Sequence, residues 1–328
     1  MIELLMPVRL SDAVIDGLSS RYRLHRLWEA PDAEALLEEI APRVRAIVTS
    51  AGILANGAVL RIDGPFMARF PKLELVANLG VGYDTVDAAW AAAHGIIVTN
   101  TPDVLTEETA DTAFGLLLNT VRQFPAAERY LRAGQWLQAP FPLTATLRGR
   151  RLGILGLGRI GKAIARRAEA FGLTIAYCGR SPQAGVAYAY FATPRALAKA
   201  CDILLVAAPG GDQTRHLVDA DVLEALGPDG FLINIARGSL IDEAALIAAL
   251  RSQAIAGAGL DVFAREPEVP ADLLACDNAV LLPHLGSATH ATRLAMAELL
   301  IENVDAWATG GEPLTRVSEC VLAPLPEQ

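Results

Sequence analysis

The sequence predicts an α/β protein with two doubly wound parallel sheets, the second inserted into the first. Three observations carry this reading. Short β-branched runs alternate with alanine-rich helical segments along the chain, the pattern of parallel sheets covered by helices on both faces. An apolar strand at Arg151–Leu155 runs directly into Gly156-Leu157-Gly158-Arg159-Ile160-Gly161 and then a helix. This glycine run begins only after residue 150, so the first 100 residues must form a domain of their own, and 328 residues exceed one ordinary core.

Taken in order, Val44–Thr49, Leu75–Asn78 and Ile96–Thr99 read as strands of the first domain. Asn100-Thr101-Pro102 then precedes a long amphipathic helix from Leu105 to Arg122. After the glycine run the strands continue as Leu173–Tyr177, Asp202–Val206, Gly230–Ile235, Ile255–Asp261 and Ala279–Leu282, giving six strands after Arg150. Pro283-His284-Leu285-Gly286-Ser287 precedes the last long helix, Ala291–Trp307. If the two long helices carry the chain across and back, one domain comprises residues 1–100 and 288–328 and the other residues 101–287. A ligand cleft between them is then the expected place for chemistry.

The glycine run is the fingerprint of a Rossmann-type dinucleotide fold. Gly156 allows the tight turn, Gly158 lets the backbone approach a pyrophosphate, and Gly161 lets the helix pack closely on the strand. The helix N-terminus adds free N–H groups and a partial positive charge, so Leu157, Arg159 and Ile160 join the glycines as cofactor contacts. An acid normally hydrogen-bonds the ribose at the end of the next strand, yet no Asp or Glu occurs between Gly172 and Phe191. That strand ends instead in Cys178-Gly179-Arg180-Ser181. A guanidinium there can clamp a 2′-phosphate, so Gly179, Arg180 and Ser181 point to NADP(H), with NAD(H) the weaker alternative.

A formal net charge of −9 without any Lys/Arg block argues against nucleic acid and anionic membranes as partners. No apolar run approaches the roughly 18 residues of a membrane span, and Met1–Pro7 lacks a basic region followed by an apolar stretch, so a cytoplasmic location is expected. The cysteines, Cys178, Cys201, Cys276 and Cys320, lie far apart with no metal-ligand spacing. No metal is expected.

Polar residues at carboxyl ends of parallel strands are where ligands are met, and three stand out. Arg237 follows one strand in Ile235-Ala236-Arg237-Gly238, Glu266 follows another in Arg265-Glu266-Pro267, and His284 follows the last. An arginine, a carboxylate and an imidazole at neighbouring strand ends form a coherent set. The remaining histidines, His25, His94, His216 and His290, read as surface or helix residues.

With Gly80-Val81-Gly82-Tyr83-Asp84, the glycine run, Asn234-Ile235-Ala236-Arg237-Gly238, Gly259-Leu260-Asp261-Val262-Phe263 with Glu266-Pro267, and Pro283-His284-Leu285-Gly286-Ser287-Ala288-Thr289, the chain resembles the D-isomer-specific 2-hydroxyacid dehydrogenases, and within them the glyoxylate/hydroxypyruvate reductase branch. The resemblance implies a Rossmann-type cofactor domain inserted into a smaller flavodoxin-like substrate domain. It implies His284 as proton donor oriented by Glu266, Arg237 on the substrate carboxylate, and the amides of Val81 and Gly82 on its other side. Thr109, Ala208, Pro209, Thr214, Ile235, Ala236, Arg237, Asp261, His284 and Gly286 would touch the cofactor, with Asp261 on the nicotinamide carboxamide. Where relatives have Leu-Pro-x-Thr this chain has Ala207-Ala208-Pro209-Gly210-Gly211-Asp212-Gln213-Thr214, which leaves the contacts of that segment open. Leu54 and Trp136 would set pocket size, and the Trp136 segment and the Leu105–Arg122 helix would support a homodimer.

The expected activity is NADPH-dependent reduction of glyoxylate and hydroxypyruvate to 2-hydroxy acids. A phenylpyruvate-like acid or 3-phosphoglycerate stands as an alternative substrate. A nucleotide-sensing module, like the corepressors that share the fold, is the alternative from another class.

Overall fold

The computed structural model describes residues 1–50 and 60–321, which divide into two compact units: Met1–Leu105 with the chain from Thr289 onward, and Thr106–Ala288. The first unit holds the parallel strands β1 (Glu3–Met6), β2 (Arg23–Arg26), β3 (Val44–Ser50), β4 (Leu75–Leu79) and β5 (Ile97–Thr99) in the order β2-β1-β3-β4-β5. This is the flavodoxin-like doubly wound order. Its β1 and β3 are apolar along most of their length because both faces are covered: Leu4, Leu5, Met6, Ala46, Ile47 and Val48 are wholly buried.

The second unit holds β6 (Arg151–Leu155), β7 (Thr174–Cys178), β8 (Ala189–Phe191), β9 (Ile203–Val206), β10 (Phe231–Asn234), β11 (Gly257–Leu260) and β12 (Ala279–Leu281), in the order β12-β11-β10-β9-β6-β7-β8. All six of its pairings are parallel. The order is that of a Rossmann sheet with one further strand at the β12 edge. Seven strands replace the six expected, because β8 is a three-residue edge strand of mixed polarity with no apolar run to announce it. β1 and β2 were likewise not singled out by pattern, and β2 (Arg-Leu-His-Arg) gains its strand character only from pairing with β1.

Helix starts follow local chemistry. Asp32, Asp63, Asp87, Thr193, Asp219, Asp242 and Thr289 each accept a backbone N–H of the first turn that would otherwise lack a partner. The helix Thr106–Arg122 packs so tightly on β11 that a Cβ at Gly259 would stand 2.4 Å from Thr120 Oγ1.

In the turn after β6, Gly156 has φ of +95°, and a Cβ there would lie 2.7 Å from Ala208 Cα. Gly158 faces open space, whereas a Cβ on Gly161 would come within 2.4 Å of the Gly156 carbonyl oxygen. Each glycine thus meets a different need: turn, approach and close packing. The register of β10, β11 and β12 brings Asn234, Leu260 and Leu281 level, so the three following loops leave the sheet side by side. Gly161→Ala is expected to destabilise the protein by about 1–3 kcal/mol, because backbone must move to admit the methyl. Chemical denaturation midpoints against the unmodified protein measure it.

Candidate active site

The loop after β10 is shaped by Asn234, which is fully buried. Its Oδ1 accepts the Ala236 N–H at 3.0 Å and its Nδ2 donates to the Arg237 carbonyl at 2.9 Å, while Arg237 Nη1 donates to the Ala236 carbonyl at 2.8 Å. The same role falls to Asp261 at the end of β11. Its N–H donates to the Asn234 carbonyl and its own carbonyl accepts the His284 N–H, both at 2.9 Å. Its carboxylate accepts Leu285 N–H at 2.6 Å and Gly286 N–H at 2.9 Å. His284 sits in the left-handed region with φ of +56°, a conformation that costs a non-glycine residue about 1–2 kcal/mol, and these three bonds to Asp261 hold it there.

Glu266 lies between the loops. Phe263 N–H donates to its Oε1 at 3.0 Å, and His284 Nδ1 lies 2.7 Å from its Oε2. Burial works to raise the Glu266 carboxyl, but the His284 hydrogen bond and charge, the Phe263 N–H and the Arg237 charge outweigh it and hold it below the ordinary 4.5. An ionised carboxylate only accepts, so Nδ1 carries the proton and donates it to Glu266. The other ring nitrogen, Nε2, has no partner among the described residues and belongs to a side chain that is 44% exposed. Asp261, 1% exposed, is pushed above its ordinary 3.8 by burial, against the pull of the Leu285 and Gly286 amides and the His284 charge.

The three strand-end residues singled out in the sequence are therefore brought together: Arg237 and His284 both act on the Glu266 carboxylate. The arrangement offers an exposed imidazole nitrogen with its partner nitrogen fixed, beside a guanidinium. Chemically, such an arrangement is able to donate a proton beside a cation that attracts an anion.

Other expected contacts fall into place unevenly. Thr109 is buried, its methyl 3.4 Å from where a Gly286 Cβ would stand. The Leu157 carbonyl accepts from Gln183 Nε2 at 2.9 Å, the Gly179 carbonyl from the Tyr190 hydroxyl at 3.2 Å, and Arg180 and Ser181 are exposed. Thr214 spends its hydroxyl proton on the Pro209 carbonyl at 2.9 Å, within its own segment. Ile235 is buried and Ala236 half-buried. Trp136 is 66% exposed. Leu54 lies outside the described residues. Val81 and Gly82 stand half-exposed on the loop after β4. His25 was expected at the surface or on a helix; it is instead a half-buried residue of β2 whose Nε2 pairs with Glu3 Oε2 at 2.7 Å.

For a dinucleotide, the residues present fit: Gly158 borders open space at the N-terminus of the helix Arg159–Ala170, where free amides gather. Residues 114–286 match the family model of the D-isomer specific 2-hydroxyacid dehydrogenase, NAD binding domain. The chain belongs to this family. It is 46% identical to glyoxylate/hydroxypyruvate reductase A of Arabidopsis thaliana, over 96% of this chain and 99% of that one. It is 43% identical to hydroxyphenylpyruvate reductase of Plectranthus scutellarioides over the same shares. Among solved structures it is similar to the NADPH-dependent glyoxylate/hydroxypyruvate reductase of Sinorhizobium meliloti, in complex with NADP and malonate, with a TM-score of 0.89, 49% identity, and 99% and 98% of the two chains covered. The chain is thus an oxidoreductase with a nicotinamide-cofactor domain.

Sequence reading missed Asn234, which hides as one polar residue closing an apolar strand; only the structure reveals that its amide holds the Arg237 loop. No group of metal-ligating side chains occurs among the described residues, and none of their helices is long and apolar enough to cross a membrane.

A carboxyl group whose folded value lies below its unfolded one stabilises the fold in its charged form. For Glu266 that contribution is present above about pH 4.5 and is lost as pH falls through the lowered value. The stability gap between the unmodified protein and Glu266→Gln, measured by denaturant titration, is therefore expected to narrow from about pH 7 to about pH 3.

Proposed function

We propose that this chain reduces small 2-keto acids, glyoxylate and hydroxypyruvate foremost, with NADPH as reductant and His284 as proton donor. The observation that carries the reading is the His284–Glu266 hydrogen bond with the Arg237 charge on the same carboxylate. A bound reduced nicotinamide supplies the hydride. His284, its Nδ1 committed to Glu266, gives the Nε2 proton to the carbonyl oxygen and takes it back in the reverse direction. Glu266 stabilises the charged imidazole and fixes its orientation. Arg237 pairs with the substrate carboxylate and polarises the carbonyl, and the Val81 and Gly82 amides are carboxylate-binding groups. Thr109, Gly156, Gly158, Gly161, Asp261 and Gly286 belong to the cofactor's surroundings.

Steady-state oxidation of NADPH and NADH with glyoxylate, hydroxypyruvate and phenylpyruvate, side by side, tests the proposal. His284→Ala is expected to lower kcat by about 10²–10⁴ while NADPH still binds. Turnover that persists unchanged in that variant would remove the proton-donor role, and a rate no higher than background in both proteins would favour a nucleotide-sensing module. A preference for phenylpyruvate would favour the second reading, which the likeness to a hydroxyphenylpyruvate reductase supports.

The cofactor choice rests on Arg180, exposed at the end of β7 where no acid stands to meet a free ribose. Its loop is held by Gln183, whose N–H donates to the Tyr177 hydroxyl at 2.7 Å. A charge-assisted bond contributes roughly 1.5–3 kcal/mol, so Arg180→Asp is expected to weaken NADPH about tenfold or more and NADH little. Equal losses for the two nucleotides would mean that Arg180 does not read the phosphate.

A homodimer is part of the proposal. Phe124, Leu131, Trp136, Leu137 and Leu143 are exposed apolar side chains clustered within twenty residues of sequence, and the helix Phe124–Arg132 buries none of its residues. Four unpaired thiols suit a reducing compartment such as the cytoplasm.

A further inference from the structure

The carbonyl groups of Gly80, Val81 and Gly82, in the loop after β4, are taken up within their own unit. Asn78 of β4, 1% exposed, donates from Nδ2 to the carbonyl oxygens of Gly80 at 3.3 Å and Gly82 at 3.1 Å. Asn100, just beyond β5, donates from Nδ2 to the Val81 carbonyl at 2.9 Å. Thr101 pins the start of the loop, its N–H donating to the Gly80 carbonyl at 3.0 Å and its hydroxyl accepting the Gly80 N–H at 2.9 Å. Gly80 adopts φ of +130°, which a residue with a side chain rarely reaches.

A trans peptide sets its C=O and N–H on opposite sides of one plane. Holding the Gly80 and Val81 carbonyls against Asn78 and Asn100 therefore turns the Val81 and Gly82 N–H groups the other way. Neither amide meets an acceptor among the described residues, and both residues are half-exposed. Successive amides facing one direction make a concave donor pair suited to an anion.

Asn78 carries a second sign of this role. Its Oδ1 is buried with no partner among the described residues, a state native proteins rarely tolerate. An apolar residue would remove that orphan but would release both carbonyls, so the Nδ2 contacts are the reason an amide stands there. We infer that Asn78 and Asn100 are positioning residues that aim the Val81 and Gly82 amides at the substrate carboxylate. The inference rests on the proposed keto-acid activity and assigns the selection of a carboxylate, rather than the chemistry at the carbonyl, to these two side chains.

The test uses Asn78→Leu, similar in volume but without donors, and Asn100→Ala, at a half-exposed position. Oxamate, a keto-acid analogue, is titrated into each protein in complex with NADPH, alongside NADPH affinity and the kinetics of glyoxylate reduction. About a tenfold rise in oxamate Kd and glyoxylate KM, with kcat and NADPH Kd within about threefold, is expected of each variant. If Asn78→Leu does not fold, Asn100→Ala carries the same readouts. Unchanged oxamate Kd in a folded variant, or losses in NADPH Kd and kcat as large as those in KM, would overturn the positioning role and leave the keto-acid reading intact. An unmodified protein that neither binds oxamate nor reduces a keto acid would overturn that reading, and this inference with it.

Discussion

The 2.7 Å hydrogen bond between His284 Nδ1 and Glu266 Oε2 is the contact on which the rest of the site depends. It keeps Glu266 ionised despite burial, and an ionised Glu266 in turn dictates which imidazole nitrogen bears its proton. The free nitrogen is then the one directed away from the carboxylate. Arg237 reinforces the bond from the neighbouring strand by adding positive charge to the same carboxylate. Remove the bond and three residues remain near one another with no defined protonation pattern.

The bond is possible because a parallel sheet delivers consecutive strand ends to one edge. Asn234 and Asp261 close β10 and β11, and each spends its side chain on the loop that follows or lies beside it. Both are buried, and both replace what would be an apolar residue in a strand built only to pack. The site therefore carries local costs: a carboxyl held above its usual value and a histidine in the left-handed region. Such costs persist only where surrounding structure over-determines the conformation, here by pairs of short hydrogen bonds to rigid strand ends.

Much of the fold was legible because its central strands are buried on both faces and so appear as unbroken apolar runs, as in Ile203–Val206 and Phe231–Asn234. β2 and β8 escaped because edge strands face solvent and need no such run; their polar residues are explained by pairing partners far along the chain. His25 was misjudged for the same reason, since only the β1–β2 pairing brings Glu3 to it. In the site, Arg237, Glu266 and His284 were legible as a set because each follows the carboxyl end of a parallel strand, where ligands are met. Asn234, Asn78 and Asn100 were not, because an amide at a strand end looks like any turn residue.

By itself, then, the sequence determined the alternation of strands and helices, the dinucleotide fingerprint and the residue types able to donate a proton and pair with a carboxylate. These are local matters, set by periodicity, by glycine geometry and by side-chain chemistry. Only the tertiary structure decided that Glu266 faces His284 and Arg237 together, that Asp261 holds the histidine loop, and that the carbonyls around Val81 are turned inward. Those are contacts between segments far apart in the chain, and their distances and burial follow from strand order and register, which no local pattern encodes.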